Sequence, residues 1–154
     1  MSKPATLLKA EPASGHLPSD SFCTMYRFWL NARGGAELPP QSAIDAGKFP
    51  SFAVPNLSLT LVGPGPKRYF IKFAGDEIIR GAGVDVRGKY PDDIPGAGAT
   101  LEHIDTCIRA RQPYFFSGPV TSGTTDFLTH AALILPYAEP GGRISQLLTY
   151  VEYG

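Results

Sequence analysis

The chain has 154 residues, enough for one domain with a sizeable core. Hydrophobic residues make up 43% and charged residues 18%, a globular balance that excludes wholesale disorder. The 14 basic and 14 acidic residues cancel without forming a cationic stripe, so nucleic acid is not an expected partner.

Residues 1–18, rich in Pro, Ala and Ser, read as a flexible arm. They contain no continuous apolar stretch of the signal-peptide kind, and no run in the chain approaches the ~20 apolar residues needed to span a bilayer. A cytoplasmic protein without a membrane partner is expected. Cys23 and Cys107 are too few for a disulfide framework and read as small buried hydrophobes.

The rest of the chain, 19–154, reads as one domain. Ser19 or Asp20 can cap a helix over 20–33, on which Phe22, Met25, Tyr26 and Trp29 recur at helical spacing. Gly34 and Gly35 end it. Four prolines (Pro39, Pro40, Pro50 and Pro55) leave room only for a short turn near 45–53. "LSLTLV" (57–62) and "RYFIKF" (68–73) alternate and are joined by "GPGP", the pattern of a β-hairpin.

Short helical turns fit 76–81 and 90–94. A clear helix follows over 101–111, with Thr100 as its cap and Leu101, Ile104 and Ile108 on one face. "PYFFSGPV" (113–120), "DFLTHAALILPY" (126–137) and "RISQLLTYVEY" (143–153) are three strands joined by hairpin-type connections. Strands joined by hairpins, with helices between the two groups, predict an α+β fold: a five-stranded antiparallel sheet with helices on one face.

The last two strands are apolar on both faces. Phe127, Ala131, Leu133 and Leu135 oppose Leu128, Ala132 and Ile134; Ile144, Leu148 and Tyr150 oppose Leu147, Val151 and Tyr153. An antiparallel sheet with one wet face would be polar on that side. Both faces therefore need cover, and the N-terminal amphipathic helix is expected on the face opposite the inserted helices. Each large side chain buried there contributes roughly 1.5–3 kcal/mol.

Three stretches carry a resemblance: "YRFWLNARGG" (26–35), "FAGDEIIRGAGVDVRGKY" (73–90) and "LILPYAEPGGRISQLLTYVEY" (133–153). In this order, over about 26–153, the chain resembles the PAS sensory domain, and more narrowly the bacterial single-domain PAS proteins of the alphaproteobacterial type. Gly83, Asp85 and Gly88 match the family's turn pattern, and Pro136, Gly141 and Gly142 its last hairpin. His130 stands where the family has an acid. The resemblance implies a five-stranded antiparallel sheet and regulatory protein contacts. The apolar outer face suggests a homodimer, and the regulatory contacts an unidentified signalling protein partner.

The glycines at 81, 83 and 88 then serve a turn. Their G-x-G-x-x-x-x-G spacing is wrong for a dinucleotide loop, and Asp85 can bond backbone amides there. His103 falls about 120° from the centre of its helix's apolar face at about 3.6 residues per turn, so it points sideways or to solvent and is a poor haem ligand. The flavin-adduct motif Asn-Cys-Arg-Phe-Leu-Gln of photosensory relatives is absent. Haem and flavin are therefore not expected, and any other cofactor stays open. Metal-ligand spacings and nucleophile signatures are also absent, so no catalytic residue and no metal site are assigned.

What remains is an apolar pocket between sheet and helices, either open to a small-molecule ligand or filled as core. The hairpin would supply Leu59, Leu61, Tyr69, Ile71 and Phe73. The helices would supply Ile78, Ile104 and Ile108, and the last strands Tyr114, Phe116, Leu133 and Tyr150. On the outer face Phe22, Met25, Tyr26 and Trp29, with Leu128, Ile134, Leu147 and Val151, would form a docking or dimer surface, with His130 among them. The function expected is a non-enzymatic sensory or signalling module. A small enzyme using the pocket, or an interaction domain with a filled core, stays open.

Overall fold

The structure, a computed structural model, describes residues 6–7, 17–44, 49–64, 68–94, 96–120 and 129–154. Helix α1 (Asp20–Arg33) begins at Ser19, whose Oγ accepts from the Phe22 amide at 3.4 Å, and ends at Gly34 with a φ of 58°. Strands β2 (Leu57–Val62) and β3 (Tyr69–Ala74) form the expected hairpin. Helix α2 (Asp76–Ala82), a 3-10 turn at Pro91–Asp93 and helix α3 (Gly98–Ala110) follow. The chain closes with β4 (Tyr114–Pro119), β5 (Thr129–Ala138) and β6 (Ile144–Tyr153).

These five strands form an antiparallel sheet in the order β4-β5-β6-β2-β3. A sixth strand, β1 (Thr6–Leu7), comes from the segment expected to be a flexible arm and pairs with the β4 edge. Residues 1–5 and 8–16, including His16, lie outside the described residues.

Both faces of the sheet are covered, as the two-sided greasiness requires. Phe22 meets Phe115 and Tyr150 edge to face at 5.5 and 5.0 Å. Phe22, Met25, Tyr26 and Trp29 are all buried in this contact. The Trp29 indole donates to the Pro136 carbonyl at 2.7 Å. At the other end of α1, Ser19 Oγ donates to Glu152 at 3.1 Å, and Tyr150 Oη donates to the same carboxylate at 2.8 Å. The helix is therefore latched to the sheet at both ends. Phe22, Met25, Tyr26 and Trp29, expected at a docking or dimer surface, are thus packed against the chain's own sheet.

Two details differ from expectation. Helix α3 starts at Gly98, so Thr100 lies inside its first turn rather than capping it. Tripeptide "GAG" (81–83) divides its work: Gly83 takes the left-handed φ of 75° that ends α2, whereas Gly81 is buried within the helix. Asp85 does act as a turn acceptor, bonding the Arg87 amide at 3.0 Å, and its bonds to Arg87 hold its carboxyl down at about 2.

Candidate functional site

Helices α2 and α3 lie against the sheet face opposite α1. Gly75 starts α2 by bonding its amide to the Leu57 carbonyl at 2.8 Å, which ties the helix to β2. Helix α3 is anchored by Ile104 and Cys107, both buried, and by a hydrogen bond between Asp105 and the Tyr69 hydroxyl. It closes on Arg111, whose φ of 56° puts a non-glycine residue in the left-handed region. The Arg111 guanidinium offsets that strain by bonding Glu37 and the Gly142 carbonyl.

Between these helices and the sheet lies a cavity of about 180 Å³. Ile71, Ile78, Ile104, Phe116, Ile134 and Val151 are part of its apolar wall. Ser58, Thr60, Thr100 and Thr149 contribute hydroxyls, and His130 is the one histidine among the described residues of the lining. No lysine, arginine or carboxylate is among the described residues of the lining. The volume is close to that of the ~150 Å³ apolar cavity that admits benzene and below the roughly 300–1,000 Å³ of drug-sized sites.

A ladder of rings crosses one wall. His103 stacks on Phe116 at 3.9 Å and 17°, and its Nδ1 is 2.8 Å from the Tyr114 hydroxyl. Phe116 meets His130 edge to face at 5.6 Å, and His130 in turn meets Tyr153 at 6.4 Å. His130 Nδ1 is buried and has no hydrogen-bond partner. Burial lowers the pKa of both histidines. Glu102 opposes the shift at His103; at His130 the charge of His103 adds to it and the Gly118 backbone opposes it.

These shifts have a sign that can be measured. The unfolded chain takes up protons on its histidines near pH ~6.5, while the folded imidazoles resist until lower pH. Their contribution is fully present above that pH and is lost as the pH falls through it. The urea midpoint is expected to drop between about pH 7.5 and about pH 5.5, and to drop less in a His103→Gln, His130→Gln double variant. The same drop in the variant would contradict this account.

No protein-family model matches the chain, and no curated protein matches it by sequence. Solved structures do. An RNA-binding light-oxygen-voltage receptor matches over 97% of this chain with a TM-score of 0.50 and 13% identity. The chain has the PAS/LOV fold. It spans 38% of that receptor's length. A fungal LOV-domain photoreceptor matches with a TM-score of 0.48 and 19% identity, covering 88% of this chain and 92% of the other.

Within this PAS/LOV fold, part of the expected pocket comes together. Ile71, Ile78, Ile104 and Phe116 line the cavity. Tyr69 and Tyr114 lie on the same side but are turned to Asp105 and His103. Ile108 packs at the edge of the core. The others face the wrong way. Leu133 pairs with Phe115 and Tyr150, which meet Phe22, so Leu133 and Tyr150 lie under α1. Leu59, Leu61 and Phe73 share that side, and Phe73 is 39% exposed.

Ile134 and Val151, expected on the outer face, line the cavity instead, and Leu147 is fully buried on their side. His130 moves with them. Leu128 and Phe127 lie outside the described residues. His103, expected to point sideways or to solvent, is half-buried against β4. The Cys107 thiol is buried, its pKa is raised by that burial, and it donates to the Gln112 carbonyl at 3.1 Å. Among the described residues no cluster of His, Cys, Asp and Glu could hold a metal ion. No described helix is long and apolar enough to cross a membrane.

Proposed function

We propose that residues 19–154 act as a non-enzymatic sensory or signalling module of the PAS type, with the cavity as its input and α1 as its output. The observation that carries this reading is the alternation along β6. Thr149, Val151 and Tyr153 line the cavity. Tyr150 and Glu152, interleaved with them, touch Phe22 and Ser19 of the α1 region. A change of packing in the cavity therefore lies one strand's thickness from the helix on the far side. A ligand biases α1 only if it binds one arrangement of that strand more tightly than the other.

The three sequence stretches that resemble PAS proteins support a bacterial, alphaproteobacterial-type member working in the cytoplasm, as a homodimer or through a protein partner. RNA binding does not carry over from the receptor above, because this chain has zero net charge and no cationic stripe. A flavin does not fit. The cavity of about 180 Å³ is smaller than cofactor-sized sites, and the Cys107 thiol is held by Gln112 rather than lining it. Haem does not fit either, since His103 is engaged by Tyr114 and Phe116.

The test mixes the purified chain with metabolite fractions. Retained molecules are read by native mass spectrometry and α1 by amide hydrogen exchange. The expected result is stoichiometric retention without conversion, accompanied by a change in exchange across 20–33. Catalytic turnover of any compound, or a retained ligand that leaves α1 exchange untouched, would overturn the reading.

A further inference from the structure

We infer that the cavity selects a neutral, single-ring aromatic molecule carrying one hydroxyl, a phenol-class ligand whose hydroxyl donates to His130. This names the ligand for the sensory reading above and rests on it. Three observations converge. Size comes first: about 180 Å³ suits one ring better than a fused-ring cofactor. Charge comes second. With no cationic or anionic side chain among the described lining residues, an ionised ligand would be buried without a counter-charge.

The third is an unmet hydrogen bond. His130 lines the cavity, and its Nδ1 is buried with no hydrogen bond of good geometry, although the Gly118 backbone acts on the ring. A buried polar atom of this kind normally has a protein or water partner. In the neutral tautomer that carries its proton on Nε2, Nδ1 accepts a hydrogen bond, so a ligand hydroxyl would complete it. The walls suit the rest of the ring: Phe116 offers aromatic surface, and Ile104, Ile134 and Val151 offer methyl groups.

Phenol and toluene differ in shape by almost nothing and in hydrogen bonding by the one group at issue. Each is titrated into the full chain and followed by methyl NMR. Phenol is expected to shift the methyls of Ile104, Ile134 and Val151 and to bind about five- to tenfold more tightly than toluene, the worth of one net hydrogen bond. His130→Leu should bring phenol down to the toluene level; His130→Asn, closer in polarity, repeats the comparison if the leucine variant does not fold.

Equal affinity for the two probes, an unchanged preference in the histidine variants, or no shift at those methyls would overturn the proposal. Failure here is separable from failure of the sensory reading. Retention of a different ligand that alters α1 exchange overturns the phenol class alone. Phenol binding with α1 exchange unaltered supports the ligand class and overturns the sensory reading.

Discussion

Trp29→Ala is expected to lower the stability of the domain by about 4 kcal/mol, the largest effect of any single substitution in α1. Trp29 is 2% exposed, stacks on Tyr26 at 6.2 Å and carries the Arg33 guanidinium 5.4 Å above its ring. Alanine removes that packing and also strips the Pro136 carbonyl of the indole donor at 2.7 Å. Small domains are stable by only about 5–15 kcal/mol, so this one side chain holds a large share of the total. Trp29→Phe separates the two contributions, because it keeps a ring and loses the donor; about 1–3 kcal/mol is expected. Urea unfolding measures both. Deleting residues 1–33 goes further and strips the cover from Phe115, Leu133 and Tyr150, so aggregation or a changed size in gel filtration should follow. A shortened chain of unchanged size and stability would mean that α1 does not seal the sheet.

Helix α1 was legible in the sequence because every local signal agreed. Ser19 caps, Gly34 stops, and four large apolar side chains recur between them at helical spacing. The strands were legible for the same reason. Which face of the sheet meets which helical layer was not. Leu133 and Ile134 are equally greasy, and Tyr150 and Val151 nearly so, so alternation separates two faces without naming them.

The hairpin hides a further trap. Its register passes from Leu59↔Phe73 to Thr60↔Ile71, leaving Lys72 as an extra residue. One extra residue reverses every side chain beyond it. Tyr69 and Ile71 therefore face the helices while Phe73, expected with them, faces the α1 side. The two-residue strand Thr6–Leu7 was too short to announce itself. The cavity itself is a property of the space left between side chains. Ile104 and Phe116 could be named from sequence as wall candidates, but the unpartnered His130 nitrogen could not.

Glycine positions give the second large effect, and they rank by what stands in the way of a methyl group. A Cβ on Gly75 would lie 2.3 Å from the Val54 carbonyl oxygen and 2.4 Å from that of Pro55. Both obstacles are backbone, and neither can retreat easily. Asn56 ties the same turn to β6 through a 2.8 Å bond to the Val151 carbonyl, and the Gly75 amide is itself bonded to Leu57. Gly75→Ala must break one of these ties, and a loss of about 3 kcal/mol or more is expected. A Cβ on Gly81 would come within 2.1 Å of the Tyr153 ring, a nominally worse clash. Yet Tyr153 is at the end of β6, and its ring can swing aside, so Gly81→Ala should lose only about 1–2 kcal/mol. Gly34→Ala meets nothing within 4 Å but must hold a φ of 58° with a ψ of −128°, a combination open mainly to glycine, so a loss of about 1–3 kcal/mol is expected. Thermal unfolding of the three variants should therefore rank Gly75 worst, with Gly81 and Gly34 both milder. If Gly81→Ala proves the most damaging, the Tyr153 ring is held rigidly against α2, and the cavity wall it forms with His130 is stiffer than its position at the strand end implies.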